Sequence, residues 1–575
     1  MSKSELPGGI PMLSPQVAGP RWQGAGTGDA PRPVLARGGA SGIGNCLWPL
    51  SFEGLLVGVM VWLNLSASMT SLRCRAAGVT VITHGLNGNV DDWVIAMADR
   101  MTGYPRFPGT NFTCYELYFT LSGANYVLTW RRLGGGAPSD TDSGEILIKL
   151  DWRQLANDDY STYDVAAMVV PQLLQRNFIA ELNGHALAEL PLHLIGHSRG
   201  GSLVCQLSYL LGTNGVWVDH LTTLDPHPLN NDCFFDFPYS VVDASARTYE
   251  NVLFHDNYFQ NLNVLFYGEP VAGAYVRQLT DLDGGYGGIA ASHSDVHLWY
   301  HGTVDLRVPA DDTVASITSA ERQTWWTPYE SSGAVAGFYY SLIGQGDRLS
   351  ADRPAGQGTD SIRDGYNQRW DLGAGLSNNR TALPPGNRRW PNLIKFNLTG
   401  TNVMLAGQSN MVAYYYQWSQ PASSNATVNV YVDDDFNPYN GNERLVGQVN
   451  VPGTGPDQIG SGTVSIVLNA TNVTPGSHAL CARISAGADS RYLYAPEILT
   501  VFSSFEPPSL ALARDAGGQF RIELTGVPGQ RVVLQSAPDL HGWQPLATNW
   551  LETNVWSYFD NVSENDRRFY RATLQ

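Results

Sequence analysis

The chain has 575 residues, 43% of them hydrophobic and 15% charged, which is the composition of a globular protein and excludes wholesale disorder. That length is too great for one hydrophobic core, so several domains are expected. A formal net charge of −17 argues against nucleic acid or an anionic membrane surface as the main partner.

Residues 1–77 read as a leader without periodicity, rich at first in Pro, Gly and Ala. Within it, segment 54–68 carries a short apolar run followed by small residues. It is too short to span a bilayer and fits the apolar core of a secretory signal, although Glu53 stands where a positive charge is expected. Residues 79–83 form a β-branched strand pattern ending in His84-Gly85-Leu86-Asn87-Gly88. A helix is predicted from Asp91 to Ala98, a strand over 146–152, and a helix over 160–175 despite Pro171. Strands are then predicted over 190–195, 221–226 and 251–256, with a helix after the first of them. Strands alternating with helices predict an α/β domain over 78–346, a mainly parallel sheet with helices on both faces. Residues 347–390 turn to Gly, Asp, Arg and Pro and read as a linker or long loop. Beyond it helical signals vanish. Short strand patterns at 412–416, 427–432 and 463–468 predict an all-β sandwich over 391–505, and 506–575 reads as a small C-terminal β-module. Six cysteines (Cys46, Cys74, Cys114, Cys205, Cys233, Cys481) are scattered without metal-ligand spacing and cannot make a dense disulfide framework.

The chemistry concentrates in Gly196-His197-Ser198-Arg199-Gly200. An apolar strand precedes this G-x-S-x-G and a helical run follows it, which is the context of a nucleophile elbow. A serine on such a turn has a strained backbone and an exposed hydroxyl, and the helix start adds positive partial charge beside it. A serine nucleophile needs a base, and the base an orienting acid. His293 and His297 follow the last predicted strand, with His293 the favoured base. Asp225 and Asp256 each end a predicted strand and compete as the acid. Two backbone N–H groups must hold the oxyanion; Arg199, next after the nucleophile, and Leu86, in the turn after His84-Gly85, are placed to do so.

In its order of landmarks the stretch from 79 to 300 resembles the α/β-hydrolase fold, and particularly the pancreatic-type lipases. The landmarks are His84-Gly85-Leu86, Asp151-Trp152, Gly196–Gly200, Leu224-Asp225-Pro226 and Ser292-His293. The resemblance implies Ser198 as nucleophile, Asp225 as acid, His293 as base, and Leu86 and Arg199 as oxyanion donors. It departs from the family at Arg199, where those lipases carry an aliphatic residue, and in having Cys233 alone in 229–273, so no cystine can close a lid there. The C-terminal module resembles those of secreted bacterial proteins.

Three other patterns compete for attention. Gly407-Gln408-Ser409-Asn410 looks like the nucleophile block of carbohydrate acetylesterases but lacks the downstream Asp-x-x-His, so Ser409 is read as a turn. Asp433-Asp434-Asp435 and Asp281-Leu282-Asp283 alternate oxygen ligands as calcium loops do, but Pro438 stands where an EF-hand needs glycine, and turns are favoured at both. The expectation is a secreted serine carboxylic-ester hydrolase, an esterase or lipase. It needs no cofactor or metal and takes a small ester or lipid substrate, without nucleic acid and without stable membrane insertion. Its β-modules are candidates for binding a surface or polysaccharide. A peptidase or amidase on the same machinery, and a non-catalytic adhesion or glycan-binding protein, are the alternatives.

Overall fold

The computed structural model describes residues 77–574 except 103–111, 141–142, 158, 232–238, 264–265, 306–309, 328–336, 342, 344–379, 385, 387, 406, 457, 469–472, 475, 503–506, 515–518, 528–529, 552 and 561–566. The expected leader with its apolar segment, most of the expected linker, and Cys46, Cys74 and Cys233 lie outside the described residues. Cys114, Cys205 and Cys481 are buried free thiols.

The first strands in chain order are β1 (Val79–Thr83), β2 (Thr113–Ser122), β3 (Asn125–Gly134), β4 (Ile146–Asp151), β5 (Leu192–His197), β6 (Val218–Leu224), β7 (Val252–Gln260) and β8 (Tyr275–Leu279). They form one sheet in the order β3-β2-β4-β1-β5-β6-β7-β8. β1, all β-branched and fully buried, runs parallel to β4 on one side and β5 on the other. A strand buried on both faces has no polar side to show, hence the unbroken Val-Thr-Val-Ile-Thr. Only the β2–β3 hairpin is antiparallel.

Five α-helices are described: α1 (Trp93–Thr102), α2 (Thr162–Leu174), α3 (Arg199–Thr213), α4 (Ala291–Gly302) and α5 (Ser319–Trp325). Leu203, Leu207 and Leu211 of α3 share a core with Val165, Val169 and Leu173 of α2. Val94 and Met97 of α1 share a second core with Val296 and Trp299 of α4.

The α/β class predicted for the chain is corrected by this structure. Strand makes up 42% and helix 18% of the described residues, which are mostly β. The large sheet is mixed, and among the described residues complete helical layers on its two faces are not present. Among the described residues, the crossings from β6 to β7 and from β7 to β8 hold no helix. Pro226, Pro228 and Pro270 in those connections, lacking an N–H and fixed in φ, oppose helix there.

The remaining strands build smaller sheets. Strands β9 (Asn392–Leu398), β11 (Ser409–Gln417) and β14 (Gly460–Val467) form one of them. The other contains β10 (Val403–Leu405), β12 (Asn425–Asp433), β13 (Arg444–Pro452), β15 (Gly476–Ala486) and β16 (Asp489–Phe502). Inward residues of both, among them Val412, Ile466, Val428 and Leu480, meet in one core, which makes a sandwich. Residues 509–574 hold two three-stranded antiparallel sheets. Ser409, predicted as a turn, is an exposed residue that opens β11.

The sandwich is built into the large sheet's core. Trp390, Cys481 and Tyr492 belong to the same apolar cluster as β1, β4 and β5. Arg491, fully buried, donates to the carbonyls of Ala188 (2.6 Å) and Trp217 (3.0 Å).

Glu145, just before β4, gives a test of this core. It is 2% exposed, accepts from Thr80 Oγ1 at 3.0 Å, and has its second carboxylate oxygen without a partner. Burial pushes its carboxyl up to about 8. A carboxyl whose folded pKa is raised contributes stability that is full below the unfolded value near 4.5 and is lost as pH rises toward the folded one. Glu145→Gln, which keeps the Thr80 acceptor and carries no charge, should match the unmutated protein in Tm at pH 5 and exceed it at pH 9. Equal Tm values at both pH values would place the ionised carboxylate at no cost and refute the burial argument.

Candidate active site

Three loops meet at the carboxyl ends of β1, β5 and β6. Ser198 joins β5 to α3 with φ 56° and ψ −128°, the N-cap of α3. A non-glycine residue there is strained by about 1–3 kcal/mol, and it persists because the surroundings fix it. Its N–H donates to Leu224 O (2.9 Å), and its carbonyl accepts from His227 N (3.1 Å), so the turn is tied to the end of β6.

Two glycines permit the close approach. A Cβ on Gly85 would lie 2.7 Å from Ser198 Cβ and 3.0 Å from its Oγ. A Cβ on Gly200 would lie 2.4 Å from His84 O. The turn after β1 and the first turn of α3 therefore touch at the serine.

Trp152 holds this pair of loops. Its ring stacks on His84 (5.6 Å), its indole N–H donates to His84 O (3.1 Å), and the Arg199 guanidinium lies 5.1 Å above it. His84 Nδ1 lies 3.0 Å from Gly85 O, and its Nε2 lies 3.3 Å from both Trp152 N and Asp151 Oδ1.

The Arg199 side chain explains its departure from an aliphatic residue. It is 0% exposed and forms a two-pronged pair with Asp243, Nε to Oδ2 at 2.7 Å and Nη2 to Oδ1 at 2.9 Å. It also donates to the carbonyls of Asn157 and Tyr160. Asp243 in turn accepts from Thr162 N (2.8 Å) and Leu229 N (2.9 Å), so this pair pins the loop after β6 to the start of α2. Arg199→Leu should cost about 3–5 kcal/mol, because it leaves a buried carboxylate without its cation. Adding Asp243→Leu should recover part of that loss. A denaturation midpoint unchanged in Arg199→Leu would show that the pair does not carry the loop.

Asp225 lies one residue beyond β6 with φ 44° and is fully buried. His293 donates from Nδ1 to Asp225 Oδ2 at 2.7 Å. Gln260 donates to the same carboxylate from its backbone N (3.2 Å) and from Nε2 (3.0 Å), and His227 Nε2 stands 3.7 Å from Oδ2. Burial pushes the Asp225 carboxyl up, but the His227 ring beside it and the hydrogen bond from His293 outweigh that and hold it well below the usual carboxylate range. His293 sits in the first turn of α4 rather than in a loop. Its ring is 4.5 Å from His197, 4.8 Å from His227 and stacked on Phe266 at 5.5 Å. His197, the residue before the serine, donates from Nε2 to His293 O at 2.9 Å. The residue before Ser198 therefore holds the His293 backbone.

The alternatives go elsewhere. His297 stacks on Trp93 at 4.5 Å, with Tyr286 and His197 edge-on, and burial drives its pKa well down. Asp256 is not at a strand end. It lies inside β7, accepting from Thr222 Oγ1 (2.5 Å), His220 Nε2 (2.8 Å) and Tyr258 OH (3.0 Å). Of the two calcium patterns, Asp433 accepts from Asp435 N and Tyr494 OH, and Asp434 pairs with Arg444 and His478. Asp283 gives its carbonyl to Trp325 Nε1 at 3.1 Å. Beside Pro226 an open cleft runs past Pro228, Ala246, Arg247, Glu269 and Pro270. Among the described residues, no helix is long and apolar enough to cross a membrane.

Sequence reasoning missed Gln260, His227 and Asp243. Only His227 left a trace, in Asp225-Pro226-His227, where a histidine two residues past a candidate acid could have been weighed.

No protein-family model matches the chain, and no curated protein matches it. Among solved structures it is similar to a superoxide reductase (neelaredoxin) from Ignicoccus hospitalis, at 14% identity over 20% of this chain and 81% of that one, TM-score 0.14. A chaperone–tip adhesin complex of CFA/I fimbriae biogenesis matches at 13% identity over 32% and 98%, TM-score 0.14. Bovine butyrophilin matches at 13% identity over 31% and 97%, TM-score 0.17. At such TM-scores these likenesses carry no argument about fold or function.

Proposed function

We propose that the chain is a serine carboxylic-ester hydrolase working through an acyl-enzyme on Ser198. The observation that carries the reading is the His293–Asp225 hydrogen bond of 2.7 Å beside the strained Ser198 turn, with His197 donating to His293 O and His227 N donating to Ser198 O. Ser198 Oγ attacks the ester carbonyl, and His293 takes its proton at Nε2. The Asp225 anion keeps the His293 proton on Nδ1 and stabilises the imidazolium as it forms. The N–H groups of Leu86 and Arg199, the latter at the start of α3, receive the oxyanion. The alkoxide leaves with the proton from His293, and water enters by the same steps in reverse to release the acid. No cofactor enters the cycle. The cleft beside Pro226, with apolar prolines and one charge of each sign, is where the substrate's remaining groups would lie. Export across a membrane belongs to the same proposal and rests on segment 54–68 alone.

The test is hydrolysis of p-nitrophenyl esters of graded chain length, set against the matching anilides, with fluorophosphonate labelling in parallel. Ester turnover with anilides untouched supports the reading. Anilide turnover at comparable rates makes the protein an amidase. Neither turnover nor labelling ends the catalytic proposal.

A further inference from the structure

We propose that Asp225, His227 and His293 form an inhibitory site for a divalent metal of zinc's class. Among the described residues they form a group of two imidazoles and a carboxylate whose ligand atoms all lie within 4.8 Å of one another. Zinc takes nitrogen and oxygen donors at about 2.0–2.2 Å, so the donors of a tetrahedral site stand roughly 3.3–3.5 Å apart. The contacts here bracket that separation. His293 Nδ1 is 2.7 Å from Asp225 Oδ2 and must open by less than an ångström, while His227 Nε2 at 3.7 Å closes slightly. Gln260, donating to the carboxylate from two nitrogens, keeps it oriented, as second-layer donors do at metal centres. The His227 side chain is 16% exposed while its Nε2 is buried, so an ion would reach the group past the edge of that ring. Two imidazoles and one carboxylate suit zinc better than the oxygen-seeking magnesium or calcium.

The consequence for catalysis follows from the proton count, and it alone rests on the ester-hydrolase reading. In the metal-free site the one ring proton of neutral His293 is on Nδ1, and the lone pair on Nε2 is the base. A metal on Nδ1 displaces that proton, which moves to Nε2. The ring keeps one proton and stays neutral, but it then has no lone pair for the serine proton. Bound zinc therefore blocks the base without touching Ser198.

The experiment uses the full chain treated with a chelator and then titrated with Co²⁺ under visible absorption, with Zn²⁺ as competitor. A tetrahedral cobalt spectrum displaced by zinc is expected, and fluorophosphonate labelling should slow in step with occupancy and recover on chelation. His227→Gln should weaken zinc on the order of 100-fold, the scale of losses at a metal's supporting residues or more. His227→Cys should restore binding with a sulfur-to-cobalt absorption band, which a merely structural effect at this position would not produce. Ser198→Ala, which removes no ligand, should bind as the unmutated protein does. No cobalt spectrum at millimolar Co²⁺, or equal binding in His227→Gln, overturns the site. Metal binding by a protein that never labels, even when metal-free, leaves the site standing and refutes the ester-hydrolase reading instead.

Discussion

Ser198→Ala is expected to abolish fluorophosphonate labelling and to lower ester turnover by about 10⁴-fold or more, because members of a serine–histidine–acid unit fail together. What remains would come from the oxyanion donors and the binding cleft. A second substitution at the same position reads the strain. At φ 56° and ψ −128° any side chain costs free energy, and glycine does not. Ser198→Gly should therefore be as inactive as the alanine variant yet more stable than the unmutated protein. The gain is about 1–2 kcal/mol, the relieved strain less the added freedom of the unfolded glycine. Labelling that persists in either variant, or that moves to the exposed Ser409, removes Ser198 from the mechanism. A glycine variant less stable than the serine would mean that the Ser198 side chain helps hold the turn, and that the strain is not a cost borne for function.

The parts of this site that could be read in the sequence are those with local causes. The turn at Ser198 needs small residues at fixed offsets, and Gly196 and Gly200 stand there. β1 is a short β-branched run, and its strand bounds in the structure are those predicted, Val79–Thr83. Elements whose stability is tertiary were not legible. The β2–β3 hairpin has β3 largely open to solvent, with no strong alternation to mark it. β8 is five residues with only its odd positions buried, too short for periodicity to stand out. The α/β class failed for a related reason. Strand and helix alternate from β4 to β6, but among the described residues the β2–β3 hairpin before that stretch and the proline-bearing connections after it hold no α-helix, and the long C-terminal part adds strand after strand. Gln260 and Asp243 are invisible in sequence because each acts on a residue more than thirty positions away. Arg199 looked like an oddity for the same reason, since its partner lies 44 residues on.

The acid is the point at which sequence left two residues open, and β-sheet register separates them. Leu224, the last residue of β6, pairs with Tyr258, and Asp225 follows it; Asp256 pairs with Thr222. Three residues along a parallel strand is roughly 10 Å, so Asp256 lies about that far below the level of the Ser198 turn. In Asp225→Asn the amide must offer NH₂ to one of its donors. Facing His293, that group pushes the ring proton from Nδ1 to Nε2 and removes the base; facing Gln260, it leaves a buried clash of donors. Turnover should fall by about 10⁴-fold, as for a wrong tautomer in preserved geometry. Asp256→Asn should act on stability instead. Asp256 carries three donors, from Thr222, His220 and Tyr258, and an amide leaves one of them orphaned at about 1–3 kcal/mol. Turnover per folded molecule should stay near that of the unmutated protein. The measurement is kcat on a short-chain ester beside a denaturation midpoint for each variant. If Asp256→Asn loses turnover with its midpoint intact while Asp225→Asn keeps it, the hydrogen bond of 2.7 Å to His293 is not the catalytic one, and the mechanism must be rebuilt around β7.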